Sequence, residues 1–320
     1  MRPDAIRLLP KMVYHLDEPD ADPAIFPSYL IAKLAREDGT TVLLSGTGGD
    51  EVFFGYRSHL AYRSYERIPR PVAAVFGPAL SGAAKMAGSL GGQQVTAIRR
   101  ARKFLRGLQA QPGLDRHMAV VDWSEPAIRS SIILPEHLQN TNHHPESMVA
   151  CSERFHGTGE LNYHSYMLTQ TFLAAHNFLY TDKSSMATSL EVRVPFTDLK
   201  MLQLGARIPM EMQLKNGETK FLLKKALEGI LPNHVIYRPK TGFGAPLRRW
   251  MRHDLRETVR DALAPERVRQ RGLFSPDAVT RALDANEKGT QDNAYLIYAL
   301  LNLEIWMQTF IDRAGEPVSF

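Results

Sequence analysis

The stretch Thr41-Val-Leu-Leu-Ser-Gly-Thr-Gly-Gly-Asp-Glu51 constrains this chain more than any other. Its apolar run is β-branched at the start and too short for a stable helix, which predicts a buried strand. The strand stops at a turn made of Ser45, Gly46, Thr47, Gly48 and Gly49. Where Cβ atoms are absent, backbone N–H groups can converge on an anion. Asp50, directly after such a cradle, is placed to hold Mg²⁺, which travels with the phosphates of ATP. The same residues also suit a plainer role, a strand that ends in a flexible turn and a helix cap, because short glycine motifs recur in many folds.

The surrounding pattern predicts an α/β fold that is mainly helical around a partial parallel sheet. An amphipathic helix over roughly 27–36 leads into the strand, and a helix–strand–turn–helix order belongs to a nucleotide-binding α/β layer. A parallel sheet needs several strands, so the layer reads as cut short on its N-terminal side. From about residue 57 the pattern is helical. Residues 71–92, rich in Ala, Gly and Pro, read as a loose helix pair or a connection. The dense Arg and Lys of 95–125 read as a solvated face. A long helix is predicted over 161–178, and a second apolar-periodic helix over 292–310 reads as core or an oligomer contact. Residues 1–65 would then be the nucleotide layer, and 66–320 the helical part of one incomplete domain. Glu191 and Arg193 stand two apart in Glu-Val-Arg-Val and would share one face of a strand. They could meet a substrate's charged ends, or form a buried ion pair that braces Pro195-Phe196.

With 39 basic and 34 acidic residues the net charge is only +5. No Lys/Arg stripe with interleaved aromatics is present, so nucleic acid is not the expected partner. The single cysteine, Cys151, excludes an internal disulfide and a thiolate metal site, and it suits a reducing compartment. The N-terminus lacks the apolar core of a secretion signal. No run of about 18 apolar residues is evident, and no membrane is expected. The expected location is cytoplasmic. The adjacent His143 and His144 read as surface residues.

Ser45-Gly-Thr-Gly-Gly-Asp-Glu-Val-Phe-Phe-Gly-Tyr56 resembles the SGxGGDE(L/V)FGGY signature of the asparagine synthetase family. Lys183-Ser-Ser-Met-Ala-Thr-Ser-Leu-Glu-Val-Arg-Val-Pro-Phe-Thr-Asp198 is similar to that family's SMAxSLEVRVPFLD segment. Gly217-Glu-Thr-Lys220, Lys224-Lys-Ala-Leu and Arg238-Pro-Lys-Thr-Gly-Phe-Gly-Ala-Pro-Leu247 resemble its GxxKxxLRxAL and RPKxGFGxPL stretches, and His15-Leu-Asp-Glu-Pro19 matches the segment before the turn. Four blocks in one order are far more specific than one glycine loop.

The resemblance implies a sheet of adenine nucleotide α-hydrolase type and ATP-dependent amide synthesis. Aspartate's carboxylate would attack the α-phosphate of ATP, and ammonia would displace AMP from β-aspartyl-AMP to give asparagine. It further implies that Ser45 and Gly46, with Gly48 and Gly49, lie against the nucleotide, and that Asp50 binds Mg²⁺. Lys220 would meet phosphate and the charge developing at the acyl centre, while Arg193 and Glu191 would serve the substrate or brace the site. Glu51 would support Asp50 or start a helix. Asp182 and Lys183 would be a cap and its neighbour, and the Arg238–Gly244 run a flap over pyrophosphate.

Two departures stand out. The family's SGGxDS pyrophosphate loop appears nowhere in these residues, and residue 2 is arginine where the glutaminase domain has its nucleophilic cysteine. Glutamine-derived ammonia would therefore come from a missing or separate glutaminase domain, with a split-enzyme partner or a homodimer as the expected assembly. Thr47 stands where family members carry a glutamate linked to the ammonia step, and a threonine is no general base at neutral pH. Another carboxylate substrate, or a remnant that binds a partner without turnover, are the alternatives. The isolated chain is expected to be poorly stable or associated with another polypeptide; a robust, cooperatively unfolding monomer would count against this.

Overall fold

The computed structural model describes residues 7–69, 82, 96–123, 126–138, 144–240 and 242–315. Leu9, Met12, Val13 and Leu16 recur at three- and four-residue steps and roll the first helix, α1 (Leu9–Leu16), into the core. It ends at Asp17 in the left-handed region. The next helix, α2 (Ile25–Glu37), buries Ile25, Phe26, Tyr29 and Ala32. Phe26 meets the Trp250 ring edge-on at 5.5 Å and also leans on Tyr298. Helices Pro276–Lys288 and Ala294–Trp306 close this cluster from the C-terminal side. The first of them starts where the Ser275 hydroxyl accepts from the Ala278 N–H and stops at left-handed Gly289.

Contrary to the expectation from the sequence, one run among the described residues, Ala294–Asp312, is apolar and long enough to cross a membrane by length and composition. More than half of it is buried inside the protein. It carries Ile297, Tyr298, Leu301 and Ile305, four of the most buried members of the main core, so it packs here as a core helix.

Strand β1 (Val42–Leu44) pairs in parallel with β2 (Glu191–Arg193), in the register Val42↔Glu191, Leu43↔Val192, Leu44↔Arg193. Leu43 and Val192 are half-buried, whereas Val42 and Leu44 point the other way and are exposed, Leu44 to 74%. Parallel sheets normally have both faces covered; among the described residues this one is covered on one face only. Glu191 and Arg193 do share a face, but it is the open one. Their ion pair, 2.8 Å long, sits in solvent at 54% and 64% exposure and is not buried.

A continuous helical run passes through Glu160–Met167, Leu168–Asn177 and Phe178–Met186, with the middle stretch π-wound. It is longer than the predicted 161–178, and Asp182 lies inside it, not at a cap. Lys183 reaches back to the Leu16 carbonyl at 3.2 Å and to the Asp17 carboxylate, which ties this helix to the end of α1.

Beyond the short α3 (Gly49–Val52), helix α4 (Arg57–Arg67) packs with α5 (Thr96–Gln109) and α6 (Leu114–Val121). The basic residues there are not simply a solvated face. Arg116 is buried, donating to the Gly107 and Ala110 carbonyls and to Glu160, and Arg106 donates to the Ala119 and Asp122 carbonyls. Burial lowers the Lys103 ammonium to about 8, with Arg106 adding to the effect. Most of 71–92 and His143 lie outside the described residues, while His144 bonds Asp115 at 2.6 Å.

Three buried histidines join this unit to the long helix. His117 and His164 share a hydrogen bond of 2.9 Å between their Nδ1 atoms, and His164 stacks on Tyr62 at 4.1 Å. His59 Nδ1 accepts from the Tyr56 N–H. Burial holds all three below the usual imidazole range, His59 at about 3 and His117 at about 4. The native state thus keeps them neutral while the unfolded chain protonates them below about pH 6.5. The part of the stability that these three set should be intact above pH 6.5 and fall with pH below it, each histidine approaching about 1.4 kcal/mol per pH unit. Urea unfolding at pH 7, 6 and 5 measures this, and equal midpoints would refute it.

Candidate functional site

The turn after β1 is held from below. Ser45 N–H donates to the Arg193 carbonyl at 2.8 Å, which links the ends of both strands. Gly48 has φ +89, and a Cβ there would fall 2.2 Å from Thr197 Cγ2. At Gly49 a Cβ would press on the Phe196 ring at 3.2 Å. These two glycines are buried against the 3₁₀ turn Pro195–Thr197, so packing demands them. Gly46 is exposed with open space around it, and Ser45 and Thr47 are half-exposed, their hydroxyls 2.8 Å apart. The face available to a ligand is therefore Ser45-Gly46-Thr47.

Asp50, at the start of α3, is where distant parts of the chain meet. Lys220 Nζ lies 2.7 Å from its Oδ1, and Lys240 Nζ 2.9 Å from its Oδ2. Burial would raise this carboxyl, yet Lys220 first and then Lys240 outweigh it and hold it below the usual carboxylate range. Lys220 is positioned by local chemistry. Asn216 and Gly217 both take positive φ between the bridged Lys215 and Glu218, as a type I′ turn requires. Lys220 itself has φ +55 ahead of helix Phe221–Leu227. A left-handed lysine costs about 1–2 kcal/mol, and strain of this kind gathers at functional sites.

Lys240 donates to the Gly55 carbonyl at 3.1 Å and rests 4.8 Å above the Tyr56 ring. The sequence predicts the Arg238–Gly244 run to be a flap and does not single out this lysine. Its signal was a cation fixed by a preceding proline, but nothing in the spacing points it at Asp50. Beneath the pair, Glu51 is buried. Its Oε1 accepts from the Tyr56 hydroxyl at 2.6 Å and from Asn177 Nδ2 at 3.0 Å. Burial raises the Glu51 carboxyl, while the Tyr56 bond opposes the shift.

The structure therefore groups Asp50 with Lys220 and Lys240, and places Ser45, Gly46, Gly48 and Gly49 in the adjoining turn. Glu191 and Arg193 pair with each other on the open face at the end of β2. A cavity of about 420 Å³ lies between the long helix and β2, lined by Phe178, Leu179, Thr181, Asp182, Val192 and Val194. Among the described residues no group of three His, Cys, Asp or Glu side chains could hold a metal ion by itself.

A short parallel sheet set among helices, whose first strand ends in a glycine turn beside an acid clasped by two lysines, defines a mostly helical α/β domain. Residues 1–308 match the family model described as asparagine synthase, and the chain belongs to that family. It is 33% identical over 312 residues to asparagine synthetase (glutamine-hydrolyzing) 1 of Bacillus subtilis (strain 168), covering 97% of this chain and 46% of that protein. It is 30% identical over 319 residues to a putative asparagine synthetase (glutamine-hydrolyzing) of Mycobacterium tuberculosis (strain ATCC 25618 / H37Rv), covering 98% and 46%. A 68-residue stretch, 20% of the chain and 12% of the relative, is 37% identical to asparagine synthetase (glutamine-hydrolyzing) of Gallus gallus. The chain thus spans about half the length of the first two.

Gly55 offers a sharp probe, because a Cβ there would fall 1.8 Å from Asp50 Oδ1 and 2.2 Å from Lys220 Cε. Overpacking of this kind costs about 1–3 kcal/mol. Gly55→Ala is expected to part the pair and lower stability by about 1–3 kcal/mol in urea unfolding, with far-UV circular dichroism unchanged. An unchanged urea midpoint would show that the pair is dispensable to the fold.

Proposed function

We propose that the chain is the synthetase portion of an ATP-dependent ligase that makes asparagine from aspartate, with ammonia drawn from glutamine by a glutaminase region of the longer enzyme. The convergence of Lys220 and Lys240 on Asp50 beside the Ser45–Thr47 face carries this reading. One carboxylate and two cations leave the locus net positive, which suits a polyphosphate. Asp50 alone fits Mg²⁺, an ion that keeps most of its coordination to water and phosphate. When bound, the ion neutralises phosphate charge next to the lysines.

In this reading Lys220 and Lys240 release Asp50 and take phosphate oxygens, so charge on the departing pyrophosphate meets compact cations that can follow it. Ser45 and Gly46 line the nucleotide. The substrate carboxylate attacks the α-phosphorus, the bond to pyrophosphate breaks, and ammonia then attacks the acyl carbon and expels AMP. Arg193 and Glu191, exposed beside the turn, face the substrate's charged ends. Aspartate-dependent exchange of labelled pyrophosphate into ATP tests this. Lys240→Ala and Lys220→Ala should each lower exchange by roughly 10²–10³-fold, the usual loss for one preorganised charge-stabilising donor. Exchange unaffected by either change would refute the assignment.

A second reading, the same chemistry on another carboxylate, is favoured by Thr47, whose hydroxyl is already bonded to Ser45. Mass spectrometry of the amide formed from mixed carboxylic acids separates the two.

A further inference from the structure

Behind Glu51 runs a polar chain that the proposed reaction does not use. His176 and Asn177 close the π-wound stretch Leu168–Asn177, and π turns are frequent at functional sites. His176 Nε2 lies 3.4 Å from Asp20 Oδ1 and 3.5 Å from Asp22 Oδ2, both carboxylates being largely buried. Its Nδ1 lies 3.1 Å from Asn177 Oδ1. An amide oxygen only accepts, so Nδ1 carries a proton; the carboxylates of Asp20 and Asp22 beside Nε2 favour a proton there too and make the ring an imidazolium, although burial raises the Asp22 carboxyl. Asn177 Nδ2 meanwhile donates to Glu51 Oε1, the atom that also accepts from Tyr56. With the amide turned over, its oxygen would face the Glu51 carboxylate and its NH₂ the protonated Nδ1, so both bonds would become repulsions.

We propose that His176 is a positioning residue: clasped as a cation by Asp20 and Asp22, it fixes the amide of Asn177 toward Glu51, and through the Glu51–Tyr56 bond it steadies the ring on which Lys240 rests. The proposal rests on the reading of Lys240 as part of the phosphate site. The groups facing His176 are Asp20 and Asp22 from the segment before α2, Phe172 stacked at 4.8 Å, Tyr180 edge-on at 5.2 Å, and Asn177 with Glu51 of α3 behind it. Burial would lower the imidazole, but the Asp20 hydrogen bond and the charges of Asp20 and Asp22 overcome it and leave it raised above 6.5. The clasp is accordingly complete at and below pH 6.5 and is lost as pH rises through that raised value.

Nitrogen-resolved NMR of the whole chain from pH 6 to 9 tests this, with His176→Gln assigning the signal. His176 should keep both ring protons past neutrality and titrate above the exposed histidines. The Asn177 side-chain amide should shift with the same midpoint, and stop titrating in His176→Gln. Should that variant not fold, Asp20→Asn keeps the histidine and should lower its midpoint. Mg-ATP affinity should fall about tenfold across the same midpoint, the weight of one charged hydrogen bond, and be flat with pH in His176→Gln. A midpoint at or below 6.5, or an Asn177 amide that ignores the titration, would overturn the proposal. An intact NMR coupling with no ATP binding would instead refute the reading of the phosphate site.

Discussion

The three-way ion pair at Asp50 is the contact on which the site depends. The glycine turn, the Lys220 helix start and the Lys240 segment lie far apart in sequence, and Asp50 joins them through two bonds shorter than 3 Å. One carboxylate cannot neutralise two ammonium groups. The junction therefore holds together while keeping a surplus of positive charge, which water screens only in part because the acid is three-quarters enclosed. In the proposed function an anion that takes over the lysines would free Asp50 for a cation, so folding contact and ligand contact would use the same atoms.

That junction is precise because of what lies under it. Thr197 and Phe196 leave no room for side chains at Gly48 and Gly49, which sets the course of the turn and aims Asp50 upward. Glu51, the next residue, is anchored inward by Tyr56 and Asn177, so the two adjacent acids turn to opposite sides of the same short helix. The other face of the sheet is bare, with Leu44 and the Glu191–Arg193 pair in solvent. In relatives twice as long as this chain, more polypeptide is available to cover such a face.

The sequence made the local elements legible. The run at 41–44 and Glu-Val-Arg-Val are strands because β-branched and apolar residues are bounded by a glycine turn and a proline, and the helix expected over roughly 27–36 from its apolar spacing forms over Ile25–Glu37. Tertiary facts were not legible. Whether the Glu191–Arg193 pair was buried depended on a layer that no residue of the strand encodes. Arg116 looked like one more surface charge, and only the approach of Glu160 and two carbonyls turns it inward. Lys240 was hidden for the same reason, since its target lies 190 residues away. The π-winding of Leu168–Asn177 has no signature in a pattern read at helical steps.

In the proposed function Asp50 would exchange its two lysines for a metal when phosphate arrives. Calorimetric titration of the purified chain and of Asp50→Asn with ATP, with and without Mg²⁺, tests it most directly. Mg²⁺ should tighten ATP binding in the parent protein, and Asp50→Asn should lose the Mg²⁺ dependence while binding metal-free ATP at least as well. An Asp50→Asn protein that binds ATP with an undiminished Mg²⁺ dependence would contradict it.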